Sequence, residues 1–205
     1  LSFIPHEYGF DDDDKKLLDL KELPVEELFG FIWCIPGGNK PIDIKAFLGE
    51  EICADFESYR INPDLVYDVR VMERPINWKL TVDTFLENYH VKHAHRTTID
   101  HYFLDNIAVT NSFGKHVRII FPKKSILELE NINPKDWSDI RKHANILYTI
   151  FPNTLILIEP DHLSISHVYP KDIKTTKVVS YTLLQKLPES DKAKAYWDKN
   201  NDILY

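Results

Sequence analysis

The segment Leu86–His95 reads LENYHVKHAH and places three histidines and one carboxylate within ten positions. Neutral imidazole is a good ligand for iron, zinc, copper and nickel, and two histidines with one carboxylate on one face of an ion leave positions open for oxygen and substrate. At 100° per residue, Asp83, Glu87 and His90 share one helical face, because they stand at i, i+4 and i+7. His93 and His95 follow the expected helix end. Histidines also serve as positive caps at helix C-termini, and a chain with nine of them brings some together by chance. The His-Glu-x-x-His arrangement of zinc proteases is absent, since Glu87 precedes the first histidine.

The elements that must position these residues come from hydrophobic period. In NWKLTVDTFLENYH, Asn77 can cap a helix, and Trp78, Val82, Phe85, Leu86 and Tyr89 form an apolar stripe of about three turns that delivers His90 at its end. Alternation predicts strands at Tyr67–Met72, His116–Phe121, Ser125–Glu130, Asn153–Glu159, His162–Tyr169 and Lys177–Gln185, the cadence of an antiparallel meander. One helix, Lys135–Leu147, is expected to interrupt it. A last helix follows Pro188, with Ser190 as a cap and Tyr196, Trp197, Ile203 and Leu204 as apolar positions. The first fifty residues are punctuated by Pro and Gly, with short strands expected across Leu28–Ile35. The run DDDDKK at Asp11–Lys16 reads as a solvated acidic turn. Leu1, Ser2 and Phe3 already read as the inside of an element. The sum is an α+β fold, a curved antiparallel sheet with a long helix packed across it and a ligand-sized cavity between the two.

Composition narrows the function. The chain has 205 residues, 43% of them hydrophobic, enough for a sizeable core. Its 25 basic and 32 acidic residues give a formal charge of −7, which argues against a nucleic-acid partner, since phosphate binding needs clustered Lys and Arg in excess. No apolar run reaches the length of a membrane span. Cys34 and Cys53, the only two cysteines, build neither a disulfide frame nor a zinc site, so a reducing cytoplasm is the expected compartment.

The stretch NWKLTVDTFLENYHVKHAH resembles the mononuclear-iron motif of the Rieske non-heme iron oxygenases, the ring-hydroxylating oxygenase α subunits. Asn77, Trp78, Lys79, Asp83, Glu87, Tyr89, His90 and His95 fill the positions of that motif. The resemblance implies that His90 and His95 hold mononuclear Fe(II), with His93 a bystander. It assigns Glu87 to the bridge between the iron site and a Rieske [2Fe-2S] cluster of a neighbouring subunit. It leaves Asp83 divided between an ion pair and a part in proton or electron passage, and Tyr89 between lining the site and packing. It further implies a helix-grip (START or Bet v 1-like) catalytic domain over residues 46–205, probed by O2 and a small organic substrate, preceded by the end of a Rieske-like β domain over residues 1–45. The electrons are expected from NAD(P)H through a reductase or ferredoxin, and the assembly is expected to be a homotrimer.

Two departures from that family stand in the sequence. The Cys-x-His and Cys-x-x-His pairs that hold a Rieske cluster are absent, since Cys34 is followed by IPG and Cys53 by ADF. The third iron ligand, an Asp of the C-terminal helix, is expected beyond Tyr205, with Asp198 and Asp202 as weaker substitutes. His101, His116 and His162 belong to no pattern and are expected at the surface or satisfied in the core. Two rival readings remain: a helix-grip module that binds a small molecule without redox activity, and a hydrolase with zinc on His90 and His95.

Overall fold

The computed structural model describes residues 3–18, 20–38 and 40–204. The reading of Leu1 and Ser2 therefore lies outside the described residues, as do the side chains of Ile203 and Leu204. A hairpin of β1 (Val25–Leu28) and β2 (Phe31–Cys34) forms a sheet of its own. The main sheet has seven strands: β3 (Val66–Arg74), β4 (Val109–Phe113), β5 (His116–Pro122), β6 (Ala144–Ile150), β7 (Thr154–Ile158), β8 (His162–Pro170) and β9 (Thr176–Leu184). Their order is β3-β9-β8-β7-β6-β5-β4, and every neighbouring pair is antiparallel. The expected meander and α+β class are thus present.

Helices cover both faces of this sheet, and β6 shows why both are apolar. Side chains alternate along a strand. Ile146, Tyr148 and Ile150 join one cluster with Ile44, Leu48, Ile52 and Phe56, which come from α2 (Ile44–Leu48) and α3 (Glu50–Tyr59). Leu147 faces the other way, toward Val82 and Trp78 of α4 (Trp78–Thr84). The spacing i, i+4, i+8, i+12 of Ile44, Leu48, Ile52 and Phe56 is a helical stripe that the strand-oriented reading of this region passed over. Gly49, at φ 84, lets the chain turn between the two helices that carry it. Tyr148 and Arg118 reach through to α3, where both donate to Asp55 Oδ2, at 2.7 and 2.6 Å.

Four expectations fail, each for a physical reason. The acidic run is not a turn. Asp11 accepts hydrogen bonds from the backbone of Asp13 and Asp14 at 3.0 and 2.8 Å, and the next acids occupy the first turn of α1 (Asp12–Leu17), where the helix dipole favours them. Lys135–Leu147 is not a helix: short 3-10 turns at Pro134–Asp136 and Ile140–Lys142 lead straight into β6, whose residues are all buried. Ser125–Glu130 is not a strand, because β6 takes the place beside β5 and the segment coils as a 3-10 turn, Lys124–Leu129, that buries Leu129.

The helix expected to reach His90 is the fourth. α4 ends at Thr84, and a separate single turn, α5 (Val91–Ala94), follows. The long helix of the domain is instead α6 (Asp191–Leu204), 14 residues. Polar contacts lay it against the sheet: Tyr67 donates to Asp198 at 2.8 Å, Arg70 to Asp202 at 2.9 Å, and the buried Asn201 joins Thr182 at 3.0 Å to Asp68 at 3.1 Å. Among the described residues no helix is long and apolar enough to cross a membrane.

Candidate metal centre

The motif's own side chains bracket α4 and the segment that follows it. Asn77 caps α4, accepting from the Lys79 amide at 2.9 Å, and its amide nitrogen ties the cap to the Ile173 carbonyl at 2.8 Å. At the other end the Glu87 carboxylate accepts from the backbone N–H of His90 at 3.0 Å, offering that amide an alternative to the helical ladder. Asn88 leaves the helix as well and donates to the Ile107 carbonyl at 2.9 Å. The chain then restarts as α5, with the Ala94 amide on the His90 carbonyl at 2.7 Å and the His95 amide on the Val91 carbonyl at 2.9 Å.

His90 and His95 therefore flank one helical turn, and their rings meet edge to face with centres 5.4 Å apart and planes at 69°. With metal–nitrogen bonds of about 2.0–2.1 Å and about 1 Å more to the ring centre, two imidazoles held at about 90–110° on one ion would have centres roughly 4.3–5.1 Å apart, somewhat less than the separation here. Glu87 Oε1 makes a short hydrogen bond with His90 Nδ1, and since a carboxylate only accepts, Nδ1 carries the proton and Nε2 is left as the donor atom for a metal. Burial opposes ionisation of Glu87, but the hydrogen bonds from His90 outweigh it and hold this carboxyl below its usual value. Burial, seconded by the charge of His90, lowers the pKa of His95 and so favours the neutral ring that a metal needs.

Among the described residues no group of three or more His, Cys, Asp or Glu side chains converges to hold a metal ion. The candidate donors brought together here are the two imidazoles, His90 and His95. Asp198 and Asp202 do not add to them, being turned to Tyr67 and Arg70 on β3. What α6 presents to the cavity is Asn200. Asp83 is exposed, does not line the cavity, and makes no ion pair among the described residues. Tyr89 is 65% exposed, with its ring 6.0 Å from that of the exposed His93, and neither lines the cavity.

The cavity beside the histidines has a volume of about 270 Å³. Glu87, His90 and His95 close one side, and Phe85, Phe103, Phe121, Leu147 and Leu157 give it an apolar body. Asn145, Glu159 and His162 add polar groups to its lining. Glu159 holds Lys123 at 3.2 Å and the Asn145 amide, and burial pushes its carboxyl upward against the pull of Lys123. His162, which no sequence pattern singled out, is fixed by Asp161 Oδ1 at 2.9 Å and packs edge-on against Trp197 of α6. Its only sequence signal was a position at the mouth of a strand after the EPD turn. His116 has the satisfied-core role expected of it, and His101 lies at the surface against Tyr102.

A sheet packed against a C-terminal helix, with two histidines lining a cavity beside it, is the layout to compare with known proteins. The family model "Ring hydroxylating alpha subunit (catalytic domain)" matches residues 56–203, and the chain belongs to that family. Among curated proteins none matches the chain by sequence. Solved structures share the fold. The quaternary ammonium Rieske monooxygenase CntA, in complex with an inhibitor, superposes with a TM-score of 0.77 at 17% identity, over 100% of this chain and 53% of that one. Another structure of a quaternary ammonium Rieske monooxygenase, described for carnitine oxidation by gut microbiota and inter-subunit electron transfer, gives 0.69 at 19%, over 97% and 53%. Naphthalene 1,2-dioxygenase with indole in its active site gives 0.64 at 21%, over 95% and 52%. The chain spans about half the length of these structures.

Proposed function

We propose that this chain is the catalytic part of a Rieske-type non-heme iron oxygenase, which inserts oxygen from O2 into a small organic substrate. The observation that carries this reading is the closely spaced pair of imidazoles, His90 and His95, which line one cavity. Both would hold mononuclear Fe(II) through nitrogen, with His93 outside the site. Ferrous iron bound there supplies dioxygen activation, a chemistry that open positions beside two histidines permit. A third protein ligand, a carboxylate, completes the set.

The chain's own residues then have distinct tasks. Glu87 fixes the tautomer and aim of His90, as carboxylates behind ligating imidazoles do, and is read as the bridge to a cluster-bearing neighbour, a reading that the partial exposure of its carboxylate supports. The apolar residues Phe103, Phe121, Leu147 and Leu157 exclude water from the substrate. Residues 1–45 are read as the end of a Rieske-like β domain, a reading supported by the separate β1–β2 sheet. The [2Fe-2S] cluster of the whole protein, electrons from NAD(P)H through a reductase or ferredoxin, a homotrimeric assembly and a cytoplasmic site complete the proposal. Inter-subunit electron transfer described for one structural relative supports the assembly. Asp83, solvent-facing and outside the cavity, has no favoured role in it.

Equilibrium dialysis of ferrous iron under anaerobic conditions tests the ligand pair. His90→Ala and His95→Ala are expected to abolish binding while His93→Ala retains it. Equal losses in all three variants would refute the assignment.

A further inference from the structure

The cavity beside His90 and His95 has a neighbour along the same sheet, a second cavity of about 150 Å³. Met72, Leu155 and Val178 give it an apolar lining, and two of its serines, Ser166 and Ser180, hydrogen-bond each other through their hydroxyls at 2.8 Å. Among the described residues no histidine or carboxylate lines it. It therefore offers nothing to a metal and suits the unreactive end of an apolar molecule.

Three residues line both cavities: Phe85, Leu147 and Leu157. Leu147 and Leu157 are register partners on β6 and β7, part of the sheet itself, and Leu147 is buried in the cluster under α4. Phe85 reaches the two cavities from elsewhere, as the first residue past α4, and is 38% exposed. Its backbone is anchored, with its amide on the Val82 carbonyl at 3.0 Å and the next amide, of Leu86, on the Asp83 carbonyl at 2.9 Å. Val82, Trp78 and Leu86 supply the packing of this segment against Leu147, Leu155 and Val168. The Phe85 ring can thus be altered while the contacts that seat α4 stay in place.

We propose that Phe85 is a specificity-determining residue, a partition over the Leu147–Leu157 pair that limits the length of the apolar molecule held beside His90 and His95. With the ring in place the molecule is confined to the first cavity; without it, a longer one runs over the two leucines into the second. That the molecule is a substrate rests on the oxygenase reading above, whereas the length limit stands on the two cavities and their shared residues.

Fluorescence titration of this chain with 2-naphthol and with the longer 6-phenyl-2-naphthol tests the proposal. The parent is expected to favour the shorter compound. Phe85→Ala should raise the affinity for the longer compound, relative to the shorter, at least about tenfold, the effect of burying one more aromatic ring. Phe85→Leu should raise it by less, and carries the test if the alanine variant does not fold. Adding Met72→Trp, which fills the second cavity from the edge strand β3, should cancel the gain. A parent that favours the longer compound, no binding of either compound, an unchanged ratio in a folded Phe85 variant, or a gain that survives Met72→Trp each overturn it. Ferrous-iron dialysis on the same samples reports separately on His90 and His95. A length limit without iron binding keeps the partition and removes the oxygenase reading, and iron binding with an unchanged ratio does the reverse.

Discussion

His90 and Glu87 are joined twice, once through the backbone N–H of the histidine at 3.0 Å and once through its ring nitrogen. The first bond holds the His90 amide outside a helical ladder, between the end of α4 at Thr84 and the start of α5, and the second fixes which ring nitrogen is left free. One carboxylate thus shapes both the backbone and the imidazole.

Glu87→Gln is expected to weaken ferrous-iron affinity by about 10–100-fold, the usual effect of losing a carboxylate that orients a ligating imidazole. Asp83→Asn, on the exposed side of α4, should leave the affinity unchanged. Competition dialysis against a chelator of known strength separates the two, and a larger effect at Asp83 would reassign the motif's acids.

A pH dependence is expected from His167, which sits on β8 with Nδ1 3.0 Å from Thr154 Oγ1. Burial holds its pKa below 6.5, so the folded chain favours the neutral ring. The stability tied to that preference is complete above 6.5 and is lost as pH falls through the lowered folded value, because the unfolded chain takes up the proton first. His167→Gln should flatten the urea-unfolding free energy between about pH 7 and 5. A variant whose stability falls as steeply as the parent's would assign the slope to other groups.

Phe56 is 1% exposed and touches the rings of Phe29, Phe31 and Tyr148, joining α3 to the β1–β2 hairpin and the main sheet. Truncation to Ala should cost about 3–5 kcal/mol. Chemical denaturation is the measurement, and a cost below 1 kcal/mol would mean that this face is repacked at little expense.

His116 accepts from the Phe151 amide at 3.1 Å and donates to the Phe47 carbonyl at 2.8 Å, pinning the turn after β6 to α2. His116→Phe keeps an aromatic ring against Phe47 but leaves both backbone groups unpaired, for an expected loss of about 2–4 kcal/mol. His101→Phe, at the surface, is the control and should change little.

The sequence alone determined the strands whose pattern is local. Alternation in Tyr67–Met72 or Lys177–Gln185 needs no partner to be read, and the Asn77 cap and the 90/95 spacing are equally visible within a few residues. Residue type also marked the imidazoles as candidate donors. Long-range competition decided the rest. Ile146 and Leu147 fit a helix or a strand until a sheet buries them on opposite faces, and Ser125–Glu130 loses its strand because β6 fills the slot beside β5. Only the tertiary structure could turn Asp198 and Asp202 away from the cavity, since their partners lie more than a hundred residues upstream on β3. It alone set His162 and Asn145 into one cavity lining, because sheet register brings together side chains whose separation in sequence carries no period.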